Sequence, residues 1–318
     1  MILLMKSNNY NMNKKTLKWI EKNFNSNINN KNIIITGANS GIGFEVSYLC
    51  ASLNANIIMA VRNINRGKSA KEKILKDFPK ANIAVVELDI SSIDSIYSFK
   101  DYIISNNIDI DVFYNNAGIL KANGNTVDGI ELIMGTNYFG VVLLNNLLAD
   151  YLKSLNHEVK VIFTNSIAMY IHSINYNDFF SEKKYKCFKG YAKSKRALTH
   201  YFIDYSLKCE NSNVKALLVH PGITYTPLIK KSFNKVIAKL ADMFMDIIFH
   251  KVDKAALSTM YLLNDNVDNY TYVGPRGLLG MSGYPKEKKI IKSIRKNYNK
   301  TIEFTNNYLK DKLKQLNK

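Results

Sequence analysis

The apolar positions fall into short runs separated by longer amphipathic stretches. NIIIT at 32–36 reads as a buried strand; it meets a Gly-rich turn and then a helix with Ile42, Val46, Leu49, Cys50 and Leu53 on one face. NIIMAV at 56–61 is a second strand run, followed by a charged helical stretch over 64–77. IAVVEL at 83–88 is a third, with helical spacing over 92–106, and DIDVFYNNAG at 109–118 is a fourth that ends in a small-residue turn. A long helical region spans 127–154, and VKVIFTNS at 159–166 is a fifth strand. An irregular segment, a helix through 190–198 and VKALLVH at 214–220 come next, then helical stretches at 229–249 and 252–263 and a last short strand near 270–273.

Strand runs this short, apolar at nearly every position and separated by helices, predict βαβ crossovers. The fold class is therefore α/β, a parallel sheet with helices on both faces. No break in composition marks a second large domain over 32–285, and no internal repeat is present. Residues 1–31 read as an extension whose Leu17, Ile20 and Phe24 form one helical face beside Trp19. That face suits packing onto the domain or lying on a membrane surface. The Lys-rich tail, 286–318, has Ile290, Ile291, Ile294 and later Tyr308, Leu309 and Leu313 at helical spacing. It predicts one or two basic helices, packed on the edge or partly loose.

The formal charge of +18 first suggests a nucleic-acid or membrane partner. Yet only five of the 44 basic residues are Arg, and some forty Asn accompany them, so the charge is spread rather than clustered. A solvated basic surface is expected, with no nucleic-acid site. Cys50, Cys187 and Cys209 show no metal-binding or paired spacing. They predict reduced thiols in a cytoplasmic protein, with no metal centre. The run in MILLMK is too short for a signal-peptide core, and no stretch is expected to span a membrane, although peripheral contact stays open.

TGANSGIG at 36–43 joins the first strand to the first helix of the alternation. Gly37, Gly41 and Gly43, with Asn39, Ser40 and Ile42 between them, allow close backbone approach, and the following helix start offers free N–H groups to a pyrophosphate. At the end of the second strand a carboxylate would select NAD by accepting from the ribose 2′-hydroxyl; the chain has Arg62 there instead, with Arg66 nearby. NADP(H) is the expected cofactor, with NAD disfavoured.

Tyr191 and Lys195 lie four apart, so a helix stacks them on one face. An ammonium beside a phenol favours the phenolate and makes a proton donor of it. The spacing Y-x-x-x-K occurs five times, starting at Tyr10, Tyr185, Tyr191, Tyr284 and Tyr308, so order along the chain must choose among them. Tyr185/Lys189 is the real rival, but it lacks the small residues Ala192, Ser194 and Ala197 that follow Tyr191.

With the Gly turn, NNAG at 115–118, Ser166 and Tyr191/Lys195 in that order, the sequence resembles the short-chain dehydrogenase/reductase family over about 31–285. Within it, TGANSGIG, AVRNINRGKSA, LDISS, YAKSK, HPGITYT and YVGPRGLLGMSGYP look most like the retinol-dehydrogenase and protochlorophyllide-reductase-like branch, which also shares the 25-residue interval from Ser166 to Tyr191. The resemblance implies a single Rossmann-type, doubly wound sheet of about seven strands and hydride transfer between a nicotinamide and a carbonyl or alcohol. It implies that Asp89 and Ile90 contact the adenine, that Asn116, Ala117 and Gly118 pass along the cofactor, and that Pro221, Gly222 and Thr226 border the nicotinamide. It further implies Ser166, Tyr191, Lys195 and a water-binding Asn137 as the catalytic set, with Asn at position 165 where relatives often have Ser or Val. Tyr170, Ile171, Ile174, Tyr176, Phe179 and Phe180 in the insertion could wall a lipophilic substrate or simply pack. A homodimer and a non-catalytic NADPH-binding sensor or interaction protein on the same fold remain open alternatives.

Overall fold

A computed structural model describes residues 13–180, 186–223, 251–277 and 280–317. The expected helix at 229–249, Tyr10, Tyr185 and Thr226 therefore lie outside the described residues. One sheet of eight strands runs in the order β3-β2-β1-β4-β5-β6-β7-β8. The strands are β1 Asn32–Thr36, β2 Asn56–Val61, β3 Ile83–Glu87, β4 Val112–Asn115, β5 Val159–Thr164, β6 Val214–Val219, β7 Tyr272–Pro275 and β8 Pro285–Lys288. The first seven pair in parallel, and β8 closes the edge antiparallel to β7, with Val273 opposite Glu287. The eighth strand exceeds the seven expected. Its residues, PKEK, carry no apolar run because an edge strand need not bury both faces.

The connecting helices are α1 Lys14–Asn23, α2 Gly41–Ser52, α3 Ile64–Asp77, α4 Ile93–Ser105, α5 Leu132–Ser154, α6 Cys187–Lys208, α7 Val252–Leu262, α8 Lys292–Arg295 and α9 Tyr298–Gln315. Each central strand feeds two cores, because alternate side chains point to opposite faces. Ile34, Phe113, Val161, Phe163, Ala216 and Leu218 pack with α4, α5 and α6. Ile33, Ile35, Tyr114, Ile162, Leu217 and Val219 pack with α2, α3 and α7. Burial on both sides is why these strands read as continuous apolar runs.

The N-terminal helix docks through Ile20 and Phe24, both buried, and Thr16 donates to Asp253 Oδ2 at 2.9 Å on α7. Its apolar face thus packs on the domain through Ile20, with Leu17 and Trp19 half-buried beside it. By composition α5 is apolar enough to cross a membrane, but 78% of its most apolar window is buried in this core. The basic tail is ordered as β8, α8 and α9, and α9 lies along α6 with Ile302 and Leu309 in the core.

The chain fills the sheet outward from β1 to β3, then returns to place β4 on the other side of β1. This reversal puts the loops after β1 and β4 side by side at the carboxyl ends of the strands, the place where doubly wound sheets bind their ligands.

Candidate active site

The loop after β1 is held by a hydroxyl and a carboxamide. Thr36 Oγ1 accepts from the backbone N–H groups of Asn116 and Ala117, both at 2.9 Å, and Asn116 Nδ2 donates to Thr36 O at 2.8 Å. These bonds stitch the β1 turn to the β4 turn. Gly37 and Gly41 adopt φ of 66° and 58°, a region that side chains with a Cβ resist. A Cβ on Gly43 would lie 2.5 Å from Asn116 Nδ2 and 2.7 Å from Gly37 O, so only Gly lets α2 sit on the turn. Ser40 occupies the N-cap of α2 without a side-chain capping bond, and no acidic residue lies in the first turn. Asn39 and Ile42 flank it, half-buried. The first-turn N–H groups and the positive helix end thus face an open cradle, and the donor set fits the pyrophosphate of a dinucleotide.

Arg62 leaves β2 with its side chain 72% exposed and Nε 4.0 Å from Asp89 Oδ2. The other Asp89 oxygen accepts from Ser91 N and Oγ at 2.9 and 2.6 Å, which orients the carboxylate. Ile90 is buried beneath it. Both residues expected at the adenine and the guanidinium expected at a ribose phosphate therefore share one corner.

The residues expected at the reacting end sit just after β5 and on α5 and α6. Ser166 follows β5, and its Oγ accepts from Ala168 N at 3.2 Å, capping a short turn over Ile167–Tyr170. Its hydroxyl acts on the Tyr191 phenol closely enough to lower the phenol's pKa. Lys195 is buried, donates to Thr164 O at 2.8 Å and lies 5.8 Å from the Tyr191 ring centre. Burial raises the phenol above its usual range, the Ser166 hydroxyl opposing this, and lowers Lys195 to about 8. The expected lowering of the phenol by Lys195 is therefore not what the structure shows, because burial favours the neutral form of both groups.

Asn137 lies in a π-turn, Gly135–Phe139, within α5. Such widened turns recur at functional positions. Its carboxamide takes both backbone groups of Ile119, accepting from N and donating to O at 2.7 Å each, and also donates to Ser194 Oγ at 3.2 Å. Ser194 in turn donates to Tyr191 O at 2.7 Å. A Cβ at Gly118 would lie 3.1 Å from Asn137 Oδ1 and 3.8 Å from Lys195 Nζ, so these three groups meet. Of the residues expected to border the nicotinamide, Pro221 is buried and Gly222 has φ 90°. The adjoining Ile223 N donates to Met281 O at 2.9 Å.

Three supporting residues were not anticipated. Asn165 accepts from Ser166 N at 2.7 Å and donates to Thr199 Oγ1 at 2.6 Å, so it aims the serine from below. Thr36 and Ser194 act as described above, and only their places in TGAN and YAKS hinted at them. Two of the other Y-x-x-x-K tyrosines are structural: Tyr284 stacks on Trp19 at 6.4 Å, and Tyr308 joins an aromatic cluster with Phe139 at 4.8 Å. Of the insertion, Phe179 and Phe180 turn inward to Phe304 and Tyr308, so they do not wall a substrate. Tyr170 and Ile171 stay outward, 37% and 54% exposed, just after Ser166. Cys187 donates to Ala122 O at 3.4 Å, and Cys50 and Cys209 are buried.

The sequence profile of the short chain dehydrogenase family matches residues 31–236. Human retinol dehydrogenase 12 is 32% identical over 203 residues, which cover 64% of this chain and 64% of that protein. The chain thus spans just under two thirds of that relative's length. Human polyprenol dehydrogenase is 30% identical over 279 residues, covering 85% of this chain and 81% of that one. A crystal structure of an uncharacterized protein from Mycobacterium paratuberculosis superposes with a TM-score of 0.69 at 25% identity, covering 88% of this chain and 94% of the other.

Proposed function

The chain belongs to the short-chain dehydrogenase family, and from that membership we propose an NADP(H)-dependent oxidoreductase that interconverts a lipophilic carbonyl and its alcohol. The observation that carries the chemistry is the convergence of three groups: Lys195 is buried 5.8 Å from the centre of the Tyr191 ring, and the Ser166 hydroxyl acts on the same phenol.

When bound, the nicotinamide supplies or accepts the hydride. In reduction, Tyr191 donates its proton to the carbonyl oxygen as charge gathers there. Its raised pKa keeps the phenol protonated and ready to do so. Ser166 donates a hydrogen bond that strengthens with that charge. Lys195 holds a positive charge below pH about 8 and steadies the phenolate left behind. Both amide protons of Asn137 are committed to Ile119 O and Ser194 Oγ, so the water expected to link Lys195 to solvent would meet the side chain at the remaining lone pair of Oδ1. Gly37, Gly41 and Gly43 hold the pyrophosphate against α2, and Pro221, Gly222 and Thr226 border the nicotinamide.

Tyr170 and Ile171, exposed beside Ser166, support an apolar substrate, and both human relatives are named for apolar alcohols, retinol and polyprenol. The three unpaired thiols support a cytoplasmic setting.

Arg62 carries the cofactor preference, since no carboxylate at the end of β2 is available to take a 2′-hydroxyl. Arg62→Ala should weaken NADPH by about tenfold, the scale of one exposed charge-assisted bond, and leave NADH unchanged. Steady-state KM values for both cofactors check this; an undiminished NADPH preference contradicts it.

A further inference from the structure

Helix α9 lies beyond residue 236, where the family match ends, yet it touches each of the elements that carry the reacting groups. Thr301 and Thr305 sit one turn apart on its buried face. Tyr138, next to Asn137 in the π-turn, bonds Thr305 Oγ1 at 2.7 Å. Thr305 Oγ1 donates to Thr301 O at 2.7 Å, so in the Tyr138 pair the phenol is the donor. Thr301 Oγ1 bonds His200 Nδ1 on α6 at 2.6 Å and Tyr176 Oη of the insertion at 3.0 Å.

The direction of the His200 bonds is determined. His200 Nε2 meets Ile294 O at 2.7 Å, and a carbonyl only accepts, so Nε2 carries the proton. Burial lowers His200 to about 4, leaving Nδ1 as an acceptor for the Thr301 hydroxyl. The rings repeat the pattern. Phe304 stacks on Phe179 at 4.3 Å, and Tyr308 meets Phe139 at 4.8 Å and Phe180 at 5.0 Å.

We propose that α9 is a positioning element of the reaction site, with Thr301 and Thr305 as its positioning residues. The juxtaposition that carries this is one helix face bonded at once to the π-turn of Asn137, the segment that follows Ser166 and the helix of Tyr191 and Lys195. The path from Thr305 to the phenol is short. Tyr138 anchors the π-turn, Asn137 in that turn donates to Ser194 Oγ, and Ser194 donates to the Tyr191 carbonyl. Releasing Tyr138 lets the turn drift, and Ser194 and Tyr191 lose their register with Ser166. The proposal rests on the hydride-transfer reading of Ser166 and Tyr191.

The test uses the full chain with Thr305→Val, Tyr138→Phe, the double variant, and Asn306→Ala on the exposed side of α9 as control. Turnover of a carbonyl substrate with NADPH and backbone hydrogen exchange are both measured. Each single variant should lower kcat about tenfold, with KM for NADPH within twofold, and Asn306→Ala should match wild type. Exchange should quicken over 132–140 and 187–195 and stay unchanged over 41–52. The double variant removes both buried polar groups and should recover stability but not kcat, because the anchor is still missing. Recovery of kcat together with stability, wild-type kcat in both single variants, or unchanged exchange over 132–140 overturns the proposal. If the wild-type chain turns over no carbonyl, the hydride-transfer reading fails by itself, and the exchange data still decide whether α9 positions the π-turn.

Discussion

Tyr191→Phe should lower carbonyl reduction by about a thousandfold while NADPH binding stays within twofold of wild type. The ring is retained, so its packing survives, and only the phenolic oxygen on which Ser166 acts is lost. General acids of this kind contribute roughly a hundred- to ten-thousandfold to a rate. Ser166 and Lys195 remain in place and still present their charge and dipole to the substrate, which accounts for the residual turnover. The pH profile sharpens the test. Lys195 is charged below about 8 and neutral above it. Wild-type reduction should therefore fall as pH rises through that value, because the ammonium that steadies the phenolate is lost. In Tyr191→Phe no phenolate forms, and that limb should vanish. Steady-state kinetics over pH 6–10 with a parallel NADPH titration (about that range suffices to bracket a group near 8) check both points. Wild-type turnover in the variant contradicts the assignment.

Gly140→Ala should be the most damaging substitution that removes no functional group. A Cβ there would lie 1.8 Å from Ile90 O and 3.1 Å from Gly135 O, both backbone atoms that cannot rotate away. Gly140 N also donates to Gly135 O and closes the π-turn. The methyl group must push α5 off the loop after β3, which carries Asp89 and Ile90 at the expected adenine corner. Overpacking a tight contact costs roughly 1–3 kcal/mol, and the rigid backbone on both sides puts this case at about 3 kcal/mol or above. The melting midpoint should fall by several degrees, and NADPH affinity by about tenfold. Thermal melts and cofactor titration measure the two effects. An unchanged midpoint with unchanged affinity would mean that α5 and the loop have slack the geometry does not show.

The close fit at Gly140 illustrates what was hidden in the sequence. A glycine in a helical run announces neither a crossing loop nor a π-turn, since both depend on where β3 ends in space. The parallel sheet was legible because β1, β4, β5 and β6 are buried on both faces and so are apolar at nearly every central position, Lys160 and Lys215 near the strand starts aside. β8 was not, because PKEK at an edge has two exposed middle residues and pairs only with β7. The candidate reacting residues could be singled out because the proposed chemistry demands particular side chains in a particular order. Their supports could not: Asn165, Thr199 and Ser194 are ordinary polar residues until the fold brings their partners within 3.2 Å. The aromatic residues of the insertion were ambiguous for a related reason. Their partners lie on α9, and the bond from Tyr176 to Thr301 spans 125 residues.

The central claim, that this chain moves a hydride to a carbonyl, is tested most directly by isotope transfer. The protein is incubated with NADPH deuterated at C4 of the nicotinamide and a panel of apolar aldehydes, ketones, quinones and retinoids, and the products are read by mass spectrometry. The account predicts one deuterium on the carbinol carbon of at least one product, formed by the wild-type chain and reduced about a thousandfold in Tyr191→Phe. Tight NADPH binding with no deuterium in any product would contradict it and leave a cofactor-binding protein that does no chemistry.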